Sequence, residues 1–206
     1  MGKKIAAVYA SPRRNGNTAM LLSMAVKGAR DGGAEIDPIV LRDYQISPCL
    51  EIYGCKKDGE CAIKDDFQQI RDRLLAADGI MIATPVFFYT VSAHLKILMD
   101  RCQSLWVKKY WIGNGADERR QIAREAFLIA AGATKGKKLF DGMLLSMKYF
   151  LDVLDARLEN RLLCRGLDFE GDALRFPEYM DAAYRMGMEF SRSAGRAEPG
   201  EDPGGG

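Results

Sequence analysis

The feature that most constrains this chain is a strand-like apolar run followed by an amphipathic helical stretch, repeated five times. The first run, Lys4 to Tyr9, ends in the turn-rich SPRRNGN and reads as a buried strand. A helix over Asn17 to Asp31 follows, with Met20, Leu21, Met24 and Gly28 on one face and Gly32-Gly33 as its stop. Glu35 to Leu41 is a second strand, and Pro38 within it favours a sheet edge. The pattern continues with a helix over Asp66 to Ala77, a strand over Gly79 to Thr84 and a helix over Ser92 to Cys102. It closes with a strand over Phe127 to Ala131, a helix over Asp141 to Ala156, a strand over Arg161 to Arg165 and a helix over Glu178 to Ser193.

Parallel neighbours need crossover connections, so this alternation predicts an α/β fold with helices on both faces of a parallel sheet. Such sheets bind ligands beyond the carboxyl ends of their strands, at the topological switch point. The loops after strands one, three and four are therefore the places to search. Two long connections, Asp43 to Asp65 and Leu105 to Arg124, join them because long structureless loops are often functional.

The first loop, SPRRNGNT, lies between a strand and a helix start, where unpaired N–H groups and the macrodipole attract an anion. Ser11, Arg13, Gly16, Asn17 and Thr18 supply hydroxyls, a guanidinium and a flexible turn, an inventory suited to a phosphate monoester. A capped helix start alone does not call for Ser11, Arg13 and Thr18 together. The loop lacks GxGxxG, so it is not the dinucleotide fingerprint. GATKGKK at 132 to 138 has the wrong glycine spacing for a nucleotide triphosphate loop, and no cysteine is followed six residues later by arginine as in a cysteine-loop phosphatase.

The third-strand loop places Pro85, Val86, Phe87, Phe88 and Tyr89 at the switch point, where a planar heterocycle needs flat apolar walls. Gly132, Ala133 and Thr134 form a small loop after strand four that lets backbone approach a ligand closely.

These residues carry a resemblance. SPRRNGNT, TPVFFYTVSAHLKILMDR and the cysteine-bearing loop between them resemble the NADPH-dependent FMN reductases and iron-sulfur flavoproteins of the flavodoxin-like fold. The resemblance covers residues 3 to 190 and implies a three-layer sandwich with a five-stranded parallel sheet in the order 2-1-3-4-5. It implies FMN at the carboxyl edge, with Ser11, Arg13, Asn17 and Thr18 at the phosphate. Pro85 to Tyr89 would flank the ring and Gly132 to Thr134 close its other side. It further implies a homodimer or homotetramer with the flavin near a subunit interface.

The cysteine loop, ISPCLEIYGCKKDGECAIKDD, offers Cys49, Cys55 and Cys61. The iron-sulfur branch has four cysteines here, and Ile52 stands at the second position. Reduced thiols without metal are the first reading. A [4Fe–4S] cluster with an outside fourth ligand, or zinc, are the alternatives. Trp106, Tyr110 and Trp111 fall in the second long connection and read as an interface or a flap. His94, on an amphipathic helix, reads as structural.

The expected activity is an FMN-dependent NAD(P)H oxidoreductase passing electrons to a quinone, free flavin, a metal ion or another small acceptor. The alternatives are an electron-transfer flavoprotein serving protein partners and a binding module that has lost its flavin. Thirty Lys and Arg against 28 Asp and Glu leave a formal charge of +2, without the concentrated basic face that nucleic acid or an anionic membrane requires. An odd cysteine count of 5 and no secretory signal point to a reducing cytoplasm. Residues 1–193 read as one domain, and the Gly/Pro-rich 194–206 as a disordered tail.

Overall fold

A computed structural model describes residues 2–113 and 124–193; the expected tail and part of the second long connection lie outside the described residues. Five strands form one sheet in the order β2-β1-β3-β4-β5, every pair parallel. They are β1 (Lys4–Tyr9), β2 (Glu35–Val40), β3 (Gly79–Pro85), β4 (Arg124–Gly132) and β5 (Ala156–Arg165). The helices are α1 (Asn17–Asp31), α2 (Cys55–Asp58), α3 (Phe67–Ala76), α4 (Ala93–Arg101), α5 (Gln103–Trp106), α6 (Asp141–Val153) and α7 (Pro177–Arg192). Pro38 does sit on an edge strand, where its missing N–H leaves no gap in a ladder.

The period-two alternation of the central strands divides the core. Phe127 and Ile129 of β4 face α1 and α7, together with Ile5, Met81, Leu22 and Phe190. Ala126, Leu128 and Ala130 face α3, α4 and α6, packing with Phe67, Ile70, Leu95, Leu98, Met143 and Met147. Both sheet faces are covered, as an all-parallel sheet requires. The α1–α7 seam is close: a Cβ on Gly28 would stand 2.0 Å from the Tyr184 carbonyl oxygen, and one on Gly187 would stand 2.0 Å from that of Ala25.

Four expectations need correction. The helix expected to reach Ala156 ends at Val153, because Asp155 turns the chain at φ 51° and β5 begins at Ala156. β5 is an edge strand whose first half alternates with the exposed Arg157, Glu159 and Arg161, so a search for continuous apolar residues finds only its last half. On α1, Leu21, Leu22, Ala25, Val26 and Ala29 are buried, whereas Met20 and Met24 are only half-buried. Finally, the connection expected to be structureless from Leu105 onward begins as helix, with a π-helical turn over Val107–Ile112.

Candidate functional site

At the carboxyl edge, β1 runs into Ala10 and the buried Ser11, whose hydroxyl accepts the Arg13 N–H at 3.1 Å. Gly16 precedes α1 in extended conformation and has no side chain to cap the helix. A Cβ there would come within 2.9 Å of the Ser11 hydroxyl oxygen. The first helical bond from Met20 N–H reaches the Gly16 carbonyl, so the N–H groups of residues 17–19 precede the helical ladder. Thr18 is buried beside them. Neighbouring cations have carboxylates, Arg14 and Arg42 both meeting Asp43 at 2.7 and 3.6 Å. Arg13 instead reaches the Asp168 carbonyl at 3.5 Å and remains exposed. An uncapped helix start, two hydroxyls and a guanidinium are the donors an anionic phosphate needs.

The third-strand loop is fixed by Ser92, whose hydroxyl donates to the Ala10 carbonyl at 2.6 Å and accepts Leu95 N–H at 3.3 Å, capping α4. Val86 N–H donates to the Ala131 carbonyl at 2.9 Å, bringing this loop against the one after β4. A Cβ on Gly132 would meet Val86 Cβ at 3.2 Å and Leu139 Cδ2 at 3.1 Å, so glycine permits that approach. Phe87 and Thr90 exchange both backbone hydrogen bonds at 3.0 Å around a turn that holds Phe88 and Tyr89 at φ 47° and 61°. Two aromatic residues in left-handed conformation are strained, a cost that concentrates at functional sites.

A cleft of about 160 Å³ gathers these pieces: Ser11, Arg13, Gly16, Asn17, Thr18, Pro85, Val86, Phe87, Gly132 and Ala133 all line it. Phe88, Tyr89 and Thr134 do not; Phe88 is 100% exposed at the turn's tip. Sequence reasoning missed Leu167 and Asp168, which line the cleft from the loop after β5. The signal was available: in a parallel sheet every strand's carboxyl end lies at the same edge, and RGLDFEGD is a turn-rich stretch.

The side chain of Asn17 is engaged by protein. Its amide donates to the Phe169 carbonyl at 2.8 Å and its oxygen accepts Ala173 N–H at 3.0 Å.

The cysteine loop encloses a separate cavity of about 550 Å³, lined by Cys49, Cys55 and Cys61 with Ile52, Trp106 and Trp111. Arg101 anchors this loop. Its buried guanidinium donates to the Ser47 carbonyl at 2.8 Å, Asp65 at 2.7 Å and the Ile63 carbonyl at 3.0 Å, and lies 4.7 Å from the Phe67 ring centre. Burial pushes the Asp65 carboxyl up, but hydrogen bonds from Arg101, Ser47 and Phe67 bring it below the usual range. Burial pushes the Cys55 thiol up, with the neighbouring Cys61 and Cys49 thiols adding to the rise. Among the described residues, no three His, Cys, Asp or Glu side chains stand where they could hold a metal ion. With Ile52 at the second position, a four-thiolate cluster set is not present.

A model of the family described as NADPH-dependent FMN reductase matches residues 3–139. The chain belongs to this family. An iron-sulfur flavoprotein of Methanocaldococcus jannaschii is 40% identical over 102 residues, 50% of this chain and 53% of that protein. The chain thus spans about half the length of the curated iron-sulfur flavoproteins it matches. A Bacillus subtilis protein, provisionally named an NAD(P)H-dependent FMN-containing oxidoreductase, is 26% identical over 184 residues, 89% of this chain and 96% of that one. The solved NAD(P)H:quinone oxidoreductase from Methanothermobacter marburgensis superposes with a TM-score of 0.72 at 16% identity, covering 93% of this chain and 98% of that one, which shows the flavodoxin-like fold.

The cleft of this FMN reductase family member fits the phosphate-bearing end of FMN. Its donor set suits a monoester, and the backbone cradle at Gly16 would be filled by any Cβ. At about 160 Å³ it is smaller than the usual ~300–1,000 Å³ of pockets that bury a whole organic ligand.

Proposed function

We propose that this chain is an FMN-dependent NAD(P)H oxidoreductase that passes electrons from a nicotinamide to a small acceptor such as a quinone or free flavin. The observation that carries the reading is the uncapped start of α1, with Arg13 beside it, opening into the cleft that Val86 and Gly132 share at the sheet's carboxyl edge. Ser11, Thr18 and the N–H groups of residues 17–19 hold the phosphate, and Arg13 supplies the opposing charge. Pro85 to Phe87 on one side and Gly132 and Ala133 on the other orient the rest of the cofactor. Bound FMN would supply the hydride and electron chemistry, and the protein supplies position and electrostatics. The names of the Bacillus and Methanothermobacter relatives support a nicotinamide donor.

A second copy of the chain completes the site, as a homodimer or homotetramer. The open cleft and the exposed Phe87, Phe88 and Tyr89 beside it support this reading. The cytoplasm is the proposed compartment. Among the described residues no helix is long and apolar enough to cross a membrane.

The test is a titration of flavin-free protein with FMN, followed by steady-state NADPH and NADH oxidation with a soluble quinone. Saturable FMN binding with quinone-dependent turnover is expected. A protein that takes up no FMN would overturn the reading, and one that binds FMN without turnover in either nicotinamide would leave an electron carrier in its place.

A further inference from the structure

The loop after β5 is held against the phosphate loop by more bonds than its exposed sequence suggests. Leu167 N–H donates to the Gly132 carbonyl at 3.2 Å, tying the loop's start to the opposite side of the cleft. The Asp172 carboxylate, nearly buried, accepts the N–H groups of Asp168 and Phe169 at 2.9 and 2.8 Å. Asn17 then bridges both ends of the turn through Phe169 and Ala173. Gly171, at φ +86°, closes the turn. Residues 168–172 are thereby fixed on the outer side of the pocket, with the Asp168 carbonyl facing Arg13.

Resting on the FMN reading above, we infer that Asn17 and Asp172 are positioning residues that hold this loop as the outer wall of the phosphate pocket. The wall selects a flavin monophosphate over its pyrophosphate-extended dinucleotide. The Asn17 side chain is engaged by the loop, so its contribution to the phosphate is its backbone N–H together with the wall it holds. Beyond a monoester, a second phosphate would meet Asp168, which lines the cleft with its carbonyl towards Arg13, and its exposed carboxylate disfavours a further anion there. Riboflavin has no phosphate and is indifferent to the wall.

The experiment measures dissociation constants of FMN, FAD and riboflavin for the full chain, for Asn17→Ala and for Gly171→Ala. Asn17→Ala keeps the backbone N–H and removes only the bridge. Gly171→Ala meets no atom within 4 Å but strains the left-handed turn, so it loosens the wall without touching the cleft. Circular dichroism checks that each variant is folded. The expected result is wild-type preference for FMN over FAD that narrows about tenfold in both variants, with riboflavin affinity unchanged. An FMN-to-FAD ratio within twofold of wild type in both folded variants would overturn the inference. So would an equal fall for FMN and riboflavin, since that marks a structural role only. Wild-type protein that binds no flavin overturns the FMN reading itself, which separates the two failures.

Discussion

Replacing Arg101 by Met tests how the cysteine loop is attached. Methionine matches the arginine stem out to the Nε position, so the change removes the guanidinium with its charge, its hydrogen bonds and its contact with the Phe67 ring while keeping the apolar stem. It leaves Asp65 without its cation and the Ser47 and Ile63 carbonyls without their donor. Removing one partner of a buried ion pair costs about 3–5 kcal/mol. That is a large part of a domain's usual ~5–15 kcal/mol. The loss is registered near the loop, because both tryptophans, Trp106 and Trp111, line the cavity that it encloses. Urea unfolding followed by tryptophan fluorescence and far-ultraviolet dichroism is therefore the assay. Fluorescence should change at lower urea than dichroism if the loop detaches first, and Asp65→Asn should produce a similar loss that does not add to that of Arg101→Met. A total loss under about 1 kcal/mol, the range of exposed ion pairs, would refute the anchoring argument.

Arg13→Ala should weaken FMN binding by about tenfold or more with little change in melting temperature, because it removes a charge from the phosphate without a folded-state ion pair to break; unchanged FMN affinity in a fluorescence titration counts against its assignment. Gly187→Ala forces a methyl group against the Ala25 carbonyl, which no rotamer change relieves, so the α1–α7 seam must open and stability fall by at least about 1–3 kcal/mol. A thermal melt that matches wild type would show the seam to be looser than described. Burial pushes the Cys102 and Cys164 thiols up to about 12, so a thiol reagent at neutral pH should modify Cys49, Cys55 and Cys61 in the native protein and reach Cys102 and Cys164 only on unfolding. Rapid native labelling of all five would contradict it. Asp37 is held low by its hydrogen bond from Arg73, and Glu60 by that from Arg71. With Asp65 also lowered in the folded state, the stability these groups contribute is complete above the ordinary carboxylate range and is lost as pH falls through their lowered values. Urea midpoints should therefore hold level from neutrality down to about pH 5 and decline in stronger acid; a midpoint that rises on acidification would reverse the sign.

The parallel sheet and its first, third and fourth loops were legible because central strands of a parallel sheet are continuous apolar runs and their turns are rich in Gly, Pro, Asn and Ser, whereas the strand order 2-1-3-4-5 came only with the family resemblance of the loops. The edge strand β5 was half hidden, since Arg157, Glu159 and Arg161 interrupt it wherever it faces water. Asn17 shows a different limit. Its place in SPRRNGNT suggests a ligand contact, yet its partners Phe169 and Ala173 lie 152 and 156 residues away, a distance over which composition carries no pairing information. The type and position of Phe88 are plain in the sequence, but a left-handed turn that projects it into solvent is set by the Phe87–Thr90 backbone pair.

The most direct test of the account is to mix the FMN-loaded protein with NADPH under anaerobic conditions and follow the flavin's visible absorbance. The account expects bleaching that is complete within one turnover and recovery of colour when a quinone is added. A flavin that stays oxidised with both NADPH and NADH would contradict the proposed oxidoreductase.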